Sequence, residues 1–373
     1  MKRFLEHVRI LDLSRLIPGA QCSQLLADLG ARVLKVEEPG RGDYMRQINP
    51  HVFAALNRNK MSMTLNLKQP EGKEILLRLV RDHDVLLETF RPGVMERLGL
   101  GYEEVRGIND GIIYCSLSGY GQNGPYRLKS GHDLNYLAIS GMLGLTVDQG
   151  QLPVALPIPL ADLAGGIMAS HAILAALLAR NNSGRGCYVD VAMLDAALSL
   201  MSVRLAVGLG KGKTGRKDLI RGGAYDVYRT RDDKFITLGI IEDKFWSSLS
   251  RAIGREDMVT DPRFLTDQLR SQNRKEVRET LEPILMERDL EEWMTIFDRE
   301  DVPAAPVNQL DRVGADPQVA HRKLMFDYPA IFPGQEELED RLAPEMGRDT
   351  HQVLTDLGIG EDEIRSLSRS GVI

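Results

Sequence analysis

The sequence is poor in cysteine: 3 in 373 residues, Cys22, Cys115 and Cys187, far apart and odd in number. That excludes a disulfide-stapled scaffold and fits reduced thiols in a cytoplasmic protein. The 7 histidines show no H-x-x-x-H spacing and the cysteines no C-x-x-C, so no metal site is expected. Positive charge is not in excess either, with Lys+Arg 47 against Asp+Glu 53 and a net charge of -6, which argues against nucleic acid as a partner. Glu6, His7, Arg9 and Asp12 interrupt the N-terminal stretch, so it reads as a first strand rather than a secretory signal. The most apolar run, Leu163 to Ala179, contains His171 and falls short of the roughly 20 residues a bilayer span needs. It predicts a buried core helix and no membrane partner. No repeat of fixed period is present.

Phosphate-binding signatures are missing too. After the first predicted strand the chain reads SRLIPGAQC, without the G-x-G-x-x-G that opens a dinucleotide site, so a nicotinamide cofactor is disfavoured. Gly212-Lys213-Thr214 is no P-loop, because the glycine required five residues earlier is Val207.

What is present is an ordinary globular composition, 43% hydrophobic and 27% charged, in a chain long enough for two domains. Strand-like HVRILDLS, helical GAQCSQLLADLG and strand-like RVLKVEEP form a βαβ unit. The alternation continues through a helix over 70–82, the strand DVLLETF, a short helix near PGVMERLG, the strand GIIYCSLSG, the apolar helix and the strand CYVDVAML. This predicts an α/β fold, a Rossmann-like parallel sheet with helices on both faces. Glycines and basic residues crowd 208–223, read as a linker. Beyond it AYDVYRT and KFITLGII form a hairpin, followed by helices over 243–254, 274–287 and 289–299. The expected organisation is a large α/β domain over 1–207 completed by 325–373, a small α+β domain over 224–304, and a Pro-rich return over 305–324.

Few polar residues stand in unusual company. Cys115, on a predicted buried strand, reads as structural rather than as a nucleophile for His132. His132-Asp133 lies between a turn-rich loop and an apolar run, where it is a helix cap or a working group. Asp162, in LPIPLADLAGG, reads alone as an N-cap; Glu242, closing ITLGIIEDKFW, reads alone as a strand end.

Taken together, RLIPGAQCSQLLADLGARVLKVEEPG, NRNKMSMTLNLKQPEG, DVLLETFRPGVMERLGLGYEEV, SGYGQNGPY, GHDLNY, ADLAGG, YDVYRTRDDKFITLG and LGIGEDEIRSLSRSGVI resemble the family III CoA-transferase and α-methylacyl-CoA racemase superfamily. The resemblance covers nearly the whole chain. It implies a homodimer of interlocked ring-like subunits with shared active sites, acyl-CoA bound between the large domain of one subunit and the small domain of the other, and no cofactor beyond the coenzyme A moiety of the substrate. In transferase-like members the aspartate matching Asp162 is the nucleophile and forms an acyl anhydride. In racemase-like members the matching residues are Gly-His-Asp, the same aspartate, and an Ile-Glu at the hairpin end. His132, Asp162 and Glu242 occur together here, which favours the racemase branch, whereas DVPAAPV reads closer to the transferases.

Inverting an α-carbon through an enolate needs one group to take a proton from one face and another to return it on the opposite face. His132 and Asp162 suit those roles, with Glu242 orienting the imidazole; the resemblance implies the Asp133 N–H, near a helix start, as the donor that stabilises the enolate oxygen. Arg58, Lys60, Arg91, Arg97 and Lys129 match the family's CoA-contacting motifs. Glu38 replaces an arginine common before the proline of VEEPG, which leaves Arg41 as a substitute. The expected function is therefore interconversion of 2-methyl-branched acyl-CoA epimers; the alternative is CoA transfer between carboxylic acids through Asp162.

Overall fold

The computed structural model describes residues 3–148, 150–212, 215–219, 222–325, 327–334 and 340–373. The chain divides into two compact units, Met1–Arg216 with Phe326–Ile373, and Lys217–Met325.

The larger unit is built on strands β1 (Arg9–Asp12), β2 (Arg32–Glu37), β3 (Met61–Thr64), β4 (Val85–Glu88), β5 (Ile113–Ser118) and β6 (Tyr188–Ala192). They form one parallel sheet in the order β3-β2-β1-β4-β5-β6. Parallel strands need crossover connections, and the helices that supply them cover both faces. Alternation along each strand divides the core. Leu11, Leu34 and Leu86 face a layer that includes Leu76, Leu79 and Leu354, whereas Ile10, Val33, Val85 and Leu87 face one with Cys22, Leu26, Ala169 and Ile173. Each buried leucine, isoleucine or valine among them contributes roughly 1.5–3 kcal/mol of transfer free energy. Cys115 is fully buried, consistent with the structural reading.

Strand β3 was not expected, because MSMT is short and half polar; register with β2 and hydrogen bonds from the returning chain define it. Asp349 Oδ2 accepts the Ser62 N–H at 2.8 Å, and the carbonyl of Val372 accepts the Asn66 N–H at 2.7 Å. The helices Thr350–Asp356 and Glu361–Arg369 bury Val353, Leu354, Ile364 and Leu367 in the same core.

The Leu163–Ala179 run forms the middle of a longer helix, Leu160–Ser183. It is not wholly buried: Gly165, Ala169 and Ile173 are covered, but Ile167, Met168 and Leu178 are exposed. Leu200, Val203 and Leu209 are likewise exposed on the helix Met193–Lys211. By length and composition alone both Leu160–Ser183 and Met193–Gly210 could cross a membrane. The expected linker starts late, because Gly208 to Lys211 continue this helix until Gly212 ends it at φ 62, a left-handed C-terminal cap. Lys213 and Thr214 of the rejected P-loop lie outside the described residues.

The smaller unit holds an antiparallel sheet, β7 (Tyr225–Arg229), β8 (Phe235–Gly239) and β9 (Ala304–Pro306), in that order. Strand β9 straddles the expected boundary at 304/305 and carries the sheet into the stretch read as a Pro-rich return; proline is tolerated there because β9 is an edge strand. Helices Asp243–Ala252, Arg274–Leu285 and Leu290–Arg299 close over Trp246, Phe264, Trp293 and Phe297.

Candidate active site

The strand order reverses between β1 and β4, and in an open parallel sheet the crevice beyond the carboxyl ends of such strands receives ligands. A cleft of about 470 Å³ lies there in the larger unit. After β1 come Arg15, Leu16 and Pro18; after β4, Thr89, Phe90, Arg91 and Pro92; at the end of β5 and just beyond it, Ser118, Gly119 and Tyr120. Lys129, His132, Tyr136 and Asp162 complete the wall. The topology thus supplies a ligand crevice that the missing glycine fingerprint did not announce.

Asp162 sits in the first turn of the Leu160–Ser183 helix rather than at its cap, which is Pro159. The cap reading belongs instead to another residue: Asp133 Oδ1 accepts the N–H groups of Ala161 at 2.7 Å and Asp162 at 3.2 Å. Burial, reinforced by the Asp133 charge, raises the Asp162 carboxyl to about 7. Close packing fixes the helix beneath it. A Cβ on Gly166 would meet Pro18 O at 2.6 Å, and one on Gly165 would meet Met193 Cγ at 2.8 Å, so the two glycines of ADLAGG let this helix lie against its neighbours.

His132 is the N-cap of the helix Asp133–Ile139, and its own N–H donates to Asn135 Oδ1 at 3.0 Å. It is exposed in the cleft wall. Gly131 before it must be small, since a Cβ would lie 2.8 Å from Tyr120 Oη and 2.9 Å from Tyr136 Cε1. The Tyr136 hydroxyl donates to the Gly131 carbonyl at 2.7 Å, and its ring meets Tyr120 edge-on at 5.1 Å. Asp133 is the first residue of its helix, where a backbone N–H has no intrahelical acceptor.

The expected cations divide. Arg91 and Lys129 line the cleft on exposed loops; Arg91 donates to Ser130 Oγ at 2.9 Å and Lys129 Nζ lies 4.6 Å from the Tyr126 ring centroid. Arg97 is exposed on the short helix Val94–Leu98, off the cleft wall. Arg58 and Lys60 do not line this cleft. Arg58 pairs with Asp28. Lys60 is 1% exposed, and its ammonium donates to Asn57 Oδ1, Ser23 Oγ, Ala20 O and Asp12 Oδ2 at 2.9, 2.8, 3.1 and 3.3 Å. A lysine so fully committed is part of the scaffold, and burial lowers it to about 8. Glu38 accepts from Lys68 at 2.7 Å. Glu242 lies in the smaller unit, exposed, three residues past the end of β8 as the N-cap of the helix Asp243–Ala252. Among the described residues no cluster of His, Cys, Asp and Glu could hold a metal ion.

Sequence reasoning missed Arg15, Tyr44 and Phe90 as cleft residues. A signal was available: all three follow predicted strands at the end where an α/β sheet binds its ligands.

The chain is similar to known proteins along nearly its whole length. An acyl-CoA transferase of Fusarium pseudograminearum is 36% identical over 99% of this chain and 88% of its own length. The succinyl-CoA:glutarate CoA-transferase of Mus musculus is 33% identical over 99% and 90%. The human alpha-methylacyl-CoA racemase is 34% identical over 99% and 97%. The crystal structure of Rv3272 from Mycobacterium tuberculosis superposes with a TM-score of 0.85 at 33% identity, covering 94% of this chain and 98% of that one. The model of CoA-transferase family III matches residues 5–340, and the chain belongs to that family.

Proposed function

We propose that the protein transfers coenzyme A between carboxylic acids, with Asp162 as the nucleophile. The observation that carries the reading is the half-buried Asp162 carboxyl in the cleft wall, its backbone N–H held by Asp133 and exposed cations close by. A carboxylate in such a place attacks the thioester carbonyl of an acyl-CoA; the C–S bond breaks, CoA leaves as thiolate, and a mixed anhydride joins the acyl group to Asp162. Attack of the thiolate on the aspartyl carbonyl releases the first acid and leaves an aspartyl thioester. An incoming carboxylate repeats the steps in reverse and departs as the new thioester. Arg91 and Lys129 supply charge for the CoA phosphates, and the Asp133 N–H, which has no intrahelical acceptor, stabilises the oxyanion. The reading reverses the order of preference drawn from sequence: most of the related proteins are CoA-transferases, and the racemase is one among them.

One observation supports racemisation as a second reading: His132 and Asp162 line the same cleft, as two bases acting on one α-carbon require. The experiment that separates the two is incubation of a single 2-methylacyl-CoA epimer in D2O with and without an acceptor acid. Transfer of CoA to the acid, lost in Asp162→Ala and kept in His132→Ala, supports the transferase. Deuterium at the α-carbon with no transfer replaces it by the racemase.

The same reading includes a homodimer. The exposed apolar side chains of Leu160–Ser183 and Met193–Lys211 support it, since surface of this kind is costly to leave in water.

A further inference from the structure

We propose that the larger unit carries a second ligand site, at the amino ends of its strands, where Arg9 and Arg32 bind the carboxylate of a small monocarboxylic acid and Leu34, Met61 and Val353 receive its apolar body.

Arg9 is the first residue of β1 and Arg32 the first of β2, and the two are paired in register. Side chains alternate along a strand, and Leu11 and Leu34, two residues on from each arginine, share one face of the sheet. Both arginines therefore belong to that face, on strands about 4.8 Å apart. Like charges side by side in a sheet are destabilising. Both side chains are exposed, and among the described residues neither guanidinium has a hydrogen-bond or ion-pair partner to offset the repulsion. Asp84, just before the neighbouring strand β4, is already taken: its Oδ1 accepts from Arg180 at 2.7 Å and its Oδ2 accepts the Arg9 backbone N–H at 2.7 Å.

The two arginines border a cavity of about 410 Å³. Its apolar lining comes from separate parts of the chain: Leu34 and Met61, paired in register on β2 and β3, Leu79, Val353 of the helix Thr350–Asp356, and Leu357 just after it. Asp82, His83 and Asp356 also line it. Asp356 Oδ1 accepts from Gln352 Nε2 at 2.7 Å. His83 Nδ1 donates to Leu79 O at 2.6 Å. Burial lowers the His83 pKa and the Arg9 charge adds to the effect, so this ring contributes no positive charge at neutral pH.

These walls select the ligand. A carboxylate between two guanidiniums accepts charge-assisted hydrogen bonds and relieves their mutual repulsion. The apolar lining favours an acid with a hydrocarbon body over a bare anion. Asp82 and Asp356 oppose a second negative charge, which disfavours phosphate and dicarboxylates. Because β1 starts at Arg9 and leads to the cleft only beyond Asp12, an acid held here is remote from the reacting groups. The site is independent of which reaction the cleft performs.

The test is calorimetric titration of hexanoate, acetate, hexanol and inorganic phosphate into wild type, Arg9→Gln, Arg32→Gln and Arg91→Ala, with melting temperatures as folding controls. Hexanoate should bind wild type and Arg91→Ala alike, and about tenfold or more weakly in Arg9→Gln and in Arg32→Gln, the effect of losing a charge-assisted bond. Acetate and hexanol each lack half of what the cavity recognises and should bind at least about tenfold more weakly than hexanoate. The His83 ring signals in NMR spectra, assigned with His83→Gln, read this cavity and not the cleft. They should shift on addition of hexanoate to wild type, and less at the same concentration in Arg9→Gln and Arg32→Gln. Hexanoate binding weakened only by Arg91→Ala, with the His83 signals unmoved, would place the acid in the cleft and overturn the assignment. Phosphate binding as tight as hexanoate, or no hexanoate binding to wild type, would overturn it as well.

Discussion

Asp133 caps the helix start that carries Asp162: its Oδ1 accepts the N–H groups of Ala161 and Asp162, at 2.7 and 3.2 Å. The two carboxyl groups of the GHD and ADLAGG motifs are therefore coupled, one as a structural cap and the other as the cleft acid. The same proximity puts a negative charge beside Asp162 and, after burial, is the second cause of its raised pKa.

Transfer should accordingly depend on pH through Asp162. A nucleophile must be ionised, so kcat/KM should rise with pH through about 7, where burial and the Asp133 charge place this group. Asp133→Asn removes the charge but keeps an acceptor oxygen, and should move that limb to lower pH. Asp162→Asn should lower turnover roughly a thousandfold or more. A pH–rate profile of the three proteins measures both effects; an unmoved limb in Asp133→Asn would contradict the coupling.

Phosphate recognition should separate the five cations first suspected. Arg91→Ala and Lys129→Ala should raise KM for acyl-CoA with smaller change in kcat, as expected of ground-state contacts. Lys60→Met should act on stability, since Lys60 is bonded within the core beside Asp12. Steady-state kinetics with thermal melts distinguishes the classes, and a KM effect of Lys60→Met at unchanged stability would return that lysine to the binding site.

Glu88, 3% exposed at the end of β4, is raised to about 7 by burial, and its Oε2 accepts the Phe90 N–H at 2.7 Å, shaping the turn that leads to Arg91. An acid whose folded pKa is raised holds its proton more tightly when folded. Its ionisation thus costs stability as pH climbs from the ordinary glutamate range to about 7, and the loss is complete above that. Glu88→Gln keeps the acceptor oxygen and should be more stable than wild type at pH 8 by about 1–3 kcal/mol, with the difference disappearing near pH 4. Urea denaturation at the two pH values is the check.

The Lys35–Asp43 pair gives the opposite expectation. Asp43→Ala leaves a buried ammonium without its closest carboxylate and frees the Leu16 N–H, so it should cost about 3–5 kcal/mol in denaturant unfolding. A loss below about 1 kcal/mol would mean that the structure around Lys35 relaxes easily.

Local sequence determined a great deal. Continuous apolar strands such as VLLE and alternating helical periods announced a parallel α/β sheet, because burial on both faces leaves that mark on composition. The GHD, ADLAGG and FRPG motifs named His132, Asp162 and Arg91, and the fold brings all three to one cleft. Tertiary structure decided what residue type alone leaves open. Lysine and arginine look alike as phosphate ligands until burial is known, and only the packing of the Leu16–Asp28 helix near Asn57 and Lys60 shows that Lys60 bonds inward to Asp12, Ala20 and Ser23. Asp162 read as a helix cap because the partner that relieves it, Asp133, is remote in sequence and reaches it only through the fold. Arg15 opens the RLIPGAQC motif, yet no sequence signal singled it out as a cleft residue. Its setting depends on two aromatic rings that follow other strands, relationships that exist only after β1, β2 and β4 lie side by side.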